Sequence, residues 1–336
     1  MSHTRRAFIR ALLAPAGALV ATPVLACDVR EFARSHGARL RLSVATGQIG
    51  GAYYILGGAL AKVITEHVTN VDATAEVTGA SVDNLKLLRM AQVDVAYVIA
   101  PTLADAYHGE GLFKEFGRVP VRALAVLYVQ PMHLATFRQH GIAHVSDLRG
   151  RTVSVGVAGS GTEDIALRML VAAGLDPERD ARLEHLGPAQ SVDALQDGKI
   201  TAFFFSGSAP LPAITELATA TRGDMQLVPS SDLLPALAER YGEGPFTSSV
   251  IVAGTYPHQE RDVATVGAAS LLVVDQAMSE SLANDIARVL FEHRDEQGEI
   301  HPVARTFTPA RAVVGSPVPF HPGAIRYYRA VGAWPT

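Results

Sequence analysis

The chain has 336 residues, of which 48% are hydrophobic and 18% are charged, which is the composition and length of a globular protein with two packed lobes. A single cysteine excludes an internal disulfide and a sulfur-rich zinc cage. The formal net charge of -4 at pH 7 gives no electrostatic reason to bind nucleic acid, because phosphate contacts need clustered cations.

The first 27 residues differ from the rest of the chain in charge and in pattern. They contain three arginines and no acidic residue, so the remaining 26 basic and 33 acidic residues give the rest of the chain a charge of -7. Basic Thr4–Arg10 precedes the apolar run Ala11–Ala21, which is shorter than the stretch of about 20 residues that spans a membrane. We therefore predict an export signal at residues 1–27 and a periplasmic protein. The pair Arg5-Arg6 resembles a twin-arginine signal, with an ordinary Sec signal as the alternative.

The end of this segment, Val24-Leu25-Ala26-Cys27, has two interpretations. It resembles a lipobox, in which Cys27 would become the lipid-bearing first residue of the mature protein. It is equally compatible with cleavage after Ala26, which would leave a free thiol. The mass of the mature amino terminus distinguishes the two.

From residue 39 onward, stretches of strand formers alternate with stretches of helical spacing, separated by loops that contain glycine. The first predicted elements are a strand at 39–45, helix Tyr53–His67, strand Ala73–Val77, helix Val82–Met90, strand Val93–Ile99, and strands Arg122–Tyr128 and Met132–Phe137. The later ones are a helical turn at Val145–Leu148, strand Thr152–Val157, helix Thr162–Ala173, helical residues Asp193–Gln196, strand Ala202–Phe205, strand Ser270–Val274, helix Glu280–Glu292 and a short helix within Pro317–Ala333. This alternation predicts an α/β fold with parallel sheets, in which ligands bind at the carboxyl ends of the strands.

The loop Gly156–Glu163 carries the strongest chemical signal, because a strand leads through small residues into the start of a helix. Gly159 and Gly161 allow a ligand to approach the backbone, and the amides of the first helical turn suit a carboxylate or phosphate. The alternative is that the hydroxyl of Ser160 or Thr162 caps its own helix. The two roles are compatible.

Enzyme and metal motifs are missing from these loops. A nucleophile elbow would need glycine at Ala158, and no glycine loop has the lysine of a phosphate-binding loop or the spacing of a dinucleotide site. His140 and His144 lie one turn apart, but neither a cysteine nor a third ligand accompanies them. We expect neither a metal nor a cofactor.

Polar and aromatic groups follow the other loops. Tyr53-Tyr54 follows the first glycine loop, and Ser81 with Asn84 follows the second, where hydroxyl and amide groups can orient a polar ligand. In Phe203-Phe204-Phe205, alternation places Phe204 opposite its two neighbours, with the core as the default environment. Arg168 is the nearest cation on the helix after the third loop, and it is either a ligand contact or a surface residue.

Five motifs in order give the chain a family resemblance. They are Gly47-x-x-Gly50-Gly51-Ala52-Tyr53-Tyr54, Thr78-Gly79-Ala80-Ser81-Val82-Asp83-Asn84-Leu85, Gly156-x-x-Gly159-Ser160-Gly161-Thr162-Glu163, Asp197-Gly198-Lys199-Ile200 and Ala253-Gly254-Thr255-Tyr256-Pro257. Between about Arg39 and Gly332, the chain resembles the TAXI family, the extracytoplasmic solute receptors of TRAP transporters.

The resemblance implies a type II periplasmic-binding-protein fold with two α/β lobes joined by crossing strands and a ligand clamped between them. We predict residues 39–130 and 254–336 as lobe 1 and residues 131–253 as lobe 2. The expected ligand-binding residues are Gly47, Gln48, Gly50, Gly51, Tyr53, Tyr54, Ser81, Asn84, Gly159, Ser160, Gly161, Thr162, Phe204, Ser206 and Tyr256.

The resemblance also implies the function and the partners. The ligand is expected to be a small carboxylate-bearing solute, a glutamate-like amino acid or a dicarboxylate, which a monomeric receptor without enzymatic activity delivers to TRAP membrane subunits. The alternatives are a receptor for an ABC importer or a sensor kinase, and a periplasmic hydrolase.

Overall fold

The computed structural model describes residues 37–335, so the predicted export signal and Cys27 lie outside the described residues. The first half of the fold consists of β1 (Leu40–Ala45), α1 (Ala52–His67), β2 (Val71–Glu76), α2 (Ser81–Arg89), β3 (Val95–Ile99), α3 (Ala100–His108) and β4 (Val121–Phe137). It is followed by β5 (Thr152–Ser154), α4 (Gly161–Ala172), β6 (Arg182–Glu184), α5 (Pro188–Gln196), β7 (Ala202–Ser206), α6 (Pro212–Ala220), β8 (Met225–Leu227), α7 (Leu234–Tyr241) and β9 (Thr247–Ile251). The last part is β10 (Val263–Asp275), α8 (Glu280–Glu292), α9 (Arg294–Ile300), α10 (Pro309–Ala312) and α11 (Pro322–Ala330).

The strands run in the order β2-β1-β3-β10-β4-β7-β5-β6, with β8 beside β4 and β9 beside β10. Strand β1 is parallel to β2 and β3, and β5 is parallel to β6 and β7. Between these two parallel groups, β10 is antiparallel to β3 and β4, and β4 is antiparallel to β7. The predicted α/β fold is confirmed, with a parallel group in each lobe and antiparallel strands where the lobes join.

Strand β4 corrects the expectation of two separate strands at this point. It runs without a break over Val121–Phe137 and changes partner in its middle, from β10, where Gly267 faces Pro131, to β7, where Met132 faces Ser206. Pro131 lacks an N–H group and therefore weakens the strand pattern in the sequence. The proline lies where the ladder hydrogen bonds pass from one neighbour to the next, so the strand tolerates it.

Most predicted helices match the structure within a residue or two, and α8 has the predicted bounds because Ser279 caps it, accepting a hydrogen bond from the N–H of Leu282 at 3.2 Å. The alternation of the phenylalanines on β7 is also confirmed. Phe204 packs in the largest apolar cluster, and Phe203 packs in a second cluster against which Phe205 lies. Within residues 37–335, every helix is too short or too polar to span a bilayer.

Candidate ligand-binding site

A cavity lies where the parallel strands of both lobes end. The residues that follow β1, β2, β5 and β6, together with the ends of β3 and β7, form its wall, and it encloses about 590 Å³, its opening to solvent included. Ligand sites in open α/β sheets lie at the carboxyl ends of the strands, and this cavity has that position.

Four helices begin at this wall. Ala52 of α1, Ser81 of α2, Gly161 of α4 and Pro188 of α5 are the first residues of their helices, and all four line the cavity. The N-terminal end of each helix carries part of a positive charge and amides without an intrahelical acceptor. The cavity is therefore suited to a negatively charged group.

The start of α4 combines a cap with free donors. Ser160 Oγ accepts a hydrogen bond from the N–H of Glu163 at 3.1 Å, and Thr162 Oγ1 accepts one from the N–H of Ser206 at 3.1 Å. Both side chains are nearly buried and line the cavity. Their O–H groups remain able to donate to a ligand, so the capping role and the ligand-facing position coexist at Ser160.

Loops of the two lobes touch beside the cavity. The carbonyl oxygen of Gly159 accepts hydrogen bonds from the N–H of Val82 at 3.2 Å and of Asp83 at 3.3 Å. A Cβ atom placed on Gly161 would lie 2.4 Å from Cδ1 of Ile99. The structure is thus a closed arrangement in which the third glycine loop packs directly against α2 and the end of β3.

Tyr53 and Gln130 supply buried polar groups to the wall. Tyr53 Oη accepts a hydrogen bond from Ser270 Oγ at 3.1 Å. Burial raises the pKa of the Tyr53 hydroxyl well above its usual value, although polar groups around its oxygen, Gln130 among them, offset part of the shift. The phenol is therefore neutral at physiological pH and available as a hydrogen-bonding group.

The structure brings nine of the predicted residues together at the cavity: Gly47, Gln48, Gly51, Tyr53, Ser81, Ser160, Gly161, Thr162 and Ser206. Gly50 and Gly159 do not line it and instead form turns of positive φ, +85° and +78°. Tyr54 is rotated about 100° from Tyr53 on α1 and is exposed to solvent.

Two further predicted residues, Asn84 and Phe204, face the protein interior. Asn84 is fully buried and donates from Nδ2 to the carbonyl oxygens of Thr46 at 2.8 Å and Tyr97 at 2.7 Å. Phe204 points into the core, because alternation along β7 turns Phe205 toward the cavity instead. These side chains support the loops without lining the site.

Tyr256 is buried away from the cavity in a chain of hydrogen bonds. Its hydroxyl donates to Nε2 of His133 at 2.8 Å and accepts from the N–H of Leu211 at 2.9 Å. Nδ1 of His133 in turn donates to the carbonyl oxygen of Phe205 at 3.2 Å. Tyr256 therefore fixes the backbone behind the wall.

Arg168 is neither a surface residue nor a residue of the cavity. It is 8% exposed, and its guanidinium donates from Nε to Asp164 at 2.9 Å and from Nη2 to Asp105 at 2.5 Å. The ring of Tyr241 covers it at 4.7 Å. Two carboxylates pair with this cation, and among residues 37–335 no positively charged side chain lines the cavity.

Gln130, Phe205 and Gly187 also line the cavity and were not predicted. Gly187 precedes Pro188 at the start of α5, and this glycine-proline pair is a helix-start signal that could have pointed to it. Gln130 had no such signal, since it is a polar residue within a long strand.

One group of possible metal ligands occurs among the described residues, at a distance from the cavity. His67, His293 and Glu296 place ligand atoms within 4.8 Å of one another. The two imidazole rings are stacked, with centroids 3.5 Å apart and an interplanar angle of 11°, and Glu296 accepts from Nδ1 of His293 at 2.6 Å. Stacked, nearly parallel rings do not direct their lone pairs to one point, so the arrangement fits a histidine–carboxylate contact better than a metal site.

Solved structures with a similar fold include a protein of Bordetella bronchiseptica RB50, 19% identical, with a TM-score of 0.51 over 88% of this chain and 89% of that one. PhnD1 from Prochlorococcus marinus in complex with methylphosphonate is 9% identical, with a TM-score of 0.51 over 79% of this chain and 90% of that one. The periplasmic aliphatic sulphonate binding protein SsuA from Escherichia coli is 14% identical, with a TM-score of 0.46 over 89% of this chain and 84% of that one.

The first two of these similarities and the order of the strands agree with the two-lobed type II periplasmic-binding-protein fold. The model of the NMT1-like family matches residues 44–332, which is most of the chain. The chain therefore belongs to the NMT1-like family.

Proposed function

We propose that the protein is an extracytoplasmic solute receptor that captures a small carboxylate-bearing solute between its lobes and releases it to a membrane permease. One observation carries the proposal: free backbone amides at the starts of α1, in one lobe, and α4, in the other, line the same cavity. An anion bound there would contact both lobes and favour their closed arrangement.

A receptor explains this cavity better than an enzyme. The hydroxyls of Ser81, Ser160 and Ser206 line it, but among residues 37–335 neither a histidine nor a carboxylate that could act as their base does. A nucleophile without a base in reach is weak. Steady turnover of a bound acid would contradict the proposed function.

The resemblance of the five motifs to the TAXI family supports delivery to a TRAP permease, with an ABC importer or a sensor kinase as the alternative. Uptake by vesicles that contain the membrane subunits separates the two transporters, because an ion gradient drives the first and ATP the second. The predicted export signal at residues 1–27 supports a periplasmic location.

The direct test is the double variant Ser160→Ala, Thr162→Ala. It removes two O–H donors from the wall, and we expect affinity for a bound carboxylate to fall by about tenfold or more, because hydrogen bonds to a charged group are strong. The measurement is calorimetric titration with 2-oxopentanoate, 2-oxoglutarate and glutamate, after native mass spectrometry has identified any retained solute.

Ser279→Ala is the matched control, because Ser279 caps α8 in the way that Ser160 caps α4 but lies away from the cavity. It should lose about 1 kcal/mol of stability, the usual value of a cap, and keep its affinity. Unchanged affinity in the double variant would remove the third glycine loop from the binding site.

A further inference from the structure

Among residues 37–335, no charged side chain lines the cavity. Charged groups on α4 are already engaged: Arg168 is paired with Asp164 and Asp105, and the carboxylate of Glu163 accepts from the N–H of Gly159 at 2.7 Å and contacts Nδ1 of His185 at 3.0 Å. A buried charge without a partner is strongly unfavourable. An ammonium group or a second carboxylate on the ligand would have no counter-ion in this site.

At two of the four helix starts, the backbone N–H groups are absent or already donate to acceptors within the protein. At α2, the N–H groups of Val82 and Asp83 donate to the carbonyl oxygen of Gly159. At α5, Pro188 has no N–H, and the N–H of Gly187 donates to Oε1 of Gln190 at 3.1 Å. These two helices contribute little to binding an anion.

The other two helix starts remain free. The N–H groups of Ala52 and Tyr53 on α1, and of Gly161 and Thr162 on α4, donate to no acceptor within the described part of the chain. Because all four residues line the same cavity, they provide donors for one anionic group.

The side-chain amide of Gln130 is a second observation, independent of the helix starts, that points to a ligand. It lies on β4 where the strand passes between the lobes, is 3% exposed and lines the cavity. Its Oε1 accepts from Ser206 Oγ at 3.4 Å, and its Nε2 is buried near Tyr53 Oη but has no hydrogen bond of normal geometry. Tyr128 Oη and Gln297 Oε1 are the other unpartnered buried side-chain atoms of the described residues, and neither of these residues lines the cavity.

A buried amide N–H without an acceptor destabilises a protein, and such groups in native structures require an explanation. A neutral acceptor on the ligand, such as a keto or hydroxyl oxygen, would pair with Nε2. Since Ser206 holds the other end of the amide, the donor is already oriented.

We propose that the ligand is a small monoanion, with one carboxylate held by the free amides of α1 and α4 and an uncharged remainder whose acceptor oxygen pairs with Gln130. This inference rests on the proposed receptor function. Small 2-oxo or 2-hydroxy monocarboxylates have this chemistry, whereas glutamate and dicarboxylates carry a charge for which the wall has no partner.

The ligand class is tested by calorimetric titration of the purified protein with three five-carbon acids, 2-oxopentanoate, 2-oxoglutarate and glutamate. We expect 2-oxopentanoate to bind at least about tenfold more tightly than the other two, because each of these carries at least one further charge. Tighter binding of 2-oxoglutarate or glutamate would overturn the inference and leave the receptor function standing. Binding of none of the acids would contradict the receptor function itself.

The role of Gln130 is tested with Gln130→Met, which keeps the length of the side chain and removes the amide. We expect the variant to bind 2-oxopentanoate about tenfold more weakly and to bind pentanoate, which lacks the keto oxygen, as the parent protein does. A purely structural role would change both affinities together, and this result, like two unchanged affinities, would overturn the assignment.

Gln297→Met is the matched control, because Gln297 is also a fully buried glutamine with one unpartnered amide atom. It lies on α9 away from the cavity, and its Nε2 donates to the carbonyl oxygen of Leu290 at 3.0 Å. We expect Gln297→Met to lower the unfolding midpoint and to leave both affinities unchanged, whereas Gln130→Met should not lower the midpoint in the absence of ligand.

Discussion

At the scale of single residues, His133 connects the wall of the cavity to Tyr256, which packs in the apolar cluster around Phe203. It is fully buried, donates from Nδ1 to the carbonyl oxygen of Phe205 and accepts at Nε2 from the hydroxyl of Tyr256. This pattern requires a neutral imidazole, since Nε2 must accept. Burial lowers the pKa of His133 from 6.5 to about 4.

The shift predicts acid sensitivity with a definite sign. Between pH 6.5 and about 4 the unfolded chain binds a proton at His133 that the folded chain does not. The free energy of unfolding therefore has its full value above pH 6.5, and the contribution of neutral His133 is lost as the pH falls toward 4. The size of the shift corresponds to about 3 kcal/mol. We expect His133→Gln to remove this part of the pH dependence, measured as the free energy of unfolding in urea at several pH values.

His108→Gln, at an exposed histidine, is the control for the loss of a histidine side chain. If the free energy of unfolding of His133→Gln still falls below pH 6.5 as steeply as that of the parent protein, His133 is not the cause of the acid sensitivity.

Sequence patterns could identify several of these residues but not the direction of every side chain. Alternation along β7 separates Phe204 from Phe203 and Phe205, but it does not state which face meets the cavity. Likewise, the pair Tyr53-Tyr54 shows aromatic residues at a helix start, and only the packing of α1 buries the first and exposes the second.

At the scale of elements, α3 of the first lobe and α4 of the second are linked by a buried polar network. Thr102 Oγ1 donates to Asp164 at 2.6 Å, and Arg168 bonds both Asp164 and Asp105. Burial raises the pKa of Asp105, and the neighbouring Arg168 opposes this shift. The network holds the two helices together beside the cavity without contributing to its lining.

Arg168→Met should be strongly destabilising. It leaves the buried Asp164 and the half-buried Asp105 without their cation, and removing one member of a buried ion pair usually costs about 3–5 kcal/mol. The free energy of unfolding in urea measures the loss. If Asp105→Asn and Asp164→Asn are added to Arg168→Met, we expect part of the stability to return, because no charge is then left unpaired.

Arg149→Met is the control for the loss of an arginine. Arg149 pairs with Asp180 at 2.5 Å on the surface, where solvent screens the interaction, and its removal should change stability little. An equal effect of both single variants would show that burial does not make the Arg168 network special.

The sequence predicts elements well where local signals are complete and poorly where one element runs into the next. Helix α8 has a serine cap and a regular apolar face, and its predicted bounds agree with the structure. Helix α3 was not predicted because it begins at Ala100, directly after β3 ends at Ile99, with no loop between them. Helix α9 was missed for the same reason, since only His293 separates it from α8.

At the scale of the whole molecule, the site depends on how the two parallel groups of strands are joined. β10 lies between β3 and β4, so a late segment of the chain completes the first lobe, and β4 continues into the second. The motif order identifies this architecture through resemblance, but distances between loops of different lobes depend on strand order and closure. The lobe boundaries 39–130, 254–336 and 131–253 stay a prediction, and the boundary after residue 130 falls within β4.

Gly161 offers a test of closure, because it is the place where the start of α4 meets the first lobe most closely. A Cβ atom there would lie 2.4 Å from Cδ1 of Ile99 and 2.8 Å from Ser81 Oγ, and Ile99 is buried. We expect Gly161→Ala to separate the lobes, seen as a larger radius of gyration in small-angle scattering with ligand present, and to weaken ligand binding.

Gly58→Ala is the matched control. Gly58 lies within α1 with open space where its Cβ would be, and alanine favours a helix over glycine by roughly 0.5–1 kcal/mol, so this variant should keep the parent scattering profile and affinity and gain some stability. If Gly161→Ala also keeps the parent scattering profile and affinity, Ile99 and Ser81 can make room for a methyl group without moving the lobes. If Gly161→Ala instead increases the radius of gyration while the free energy of unfolding stays near that of the parent, the closed arrangement depends on the close approach of Gly161 to Ile99 and Ser81.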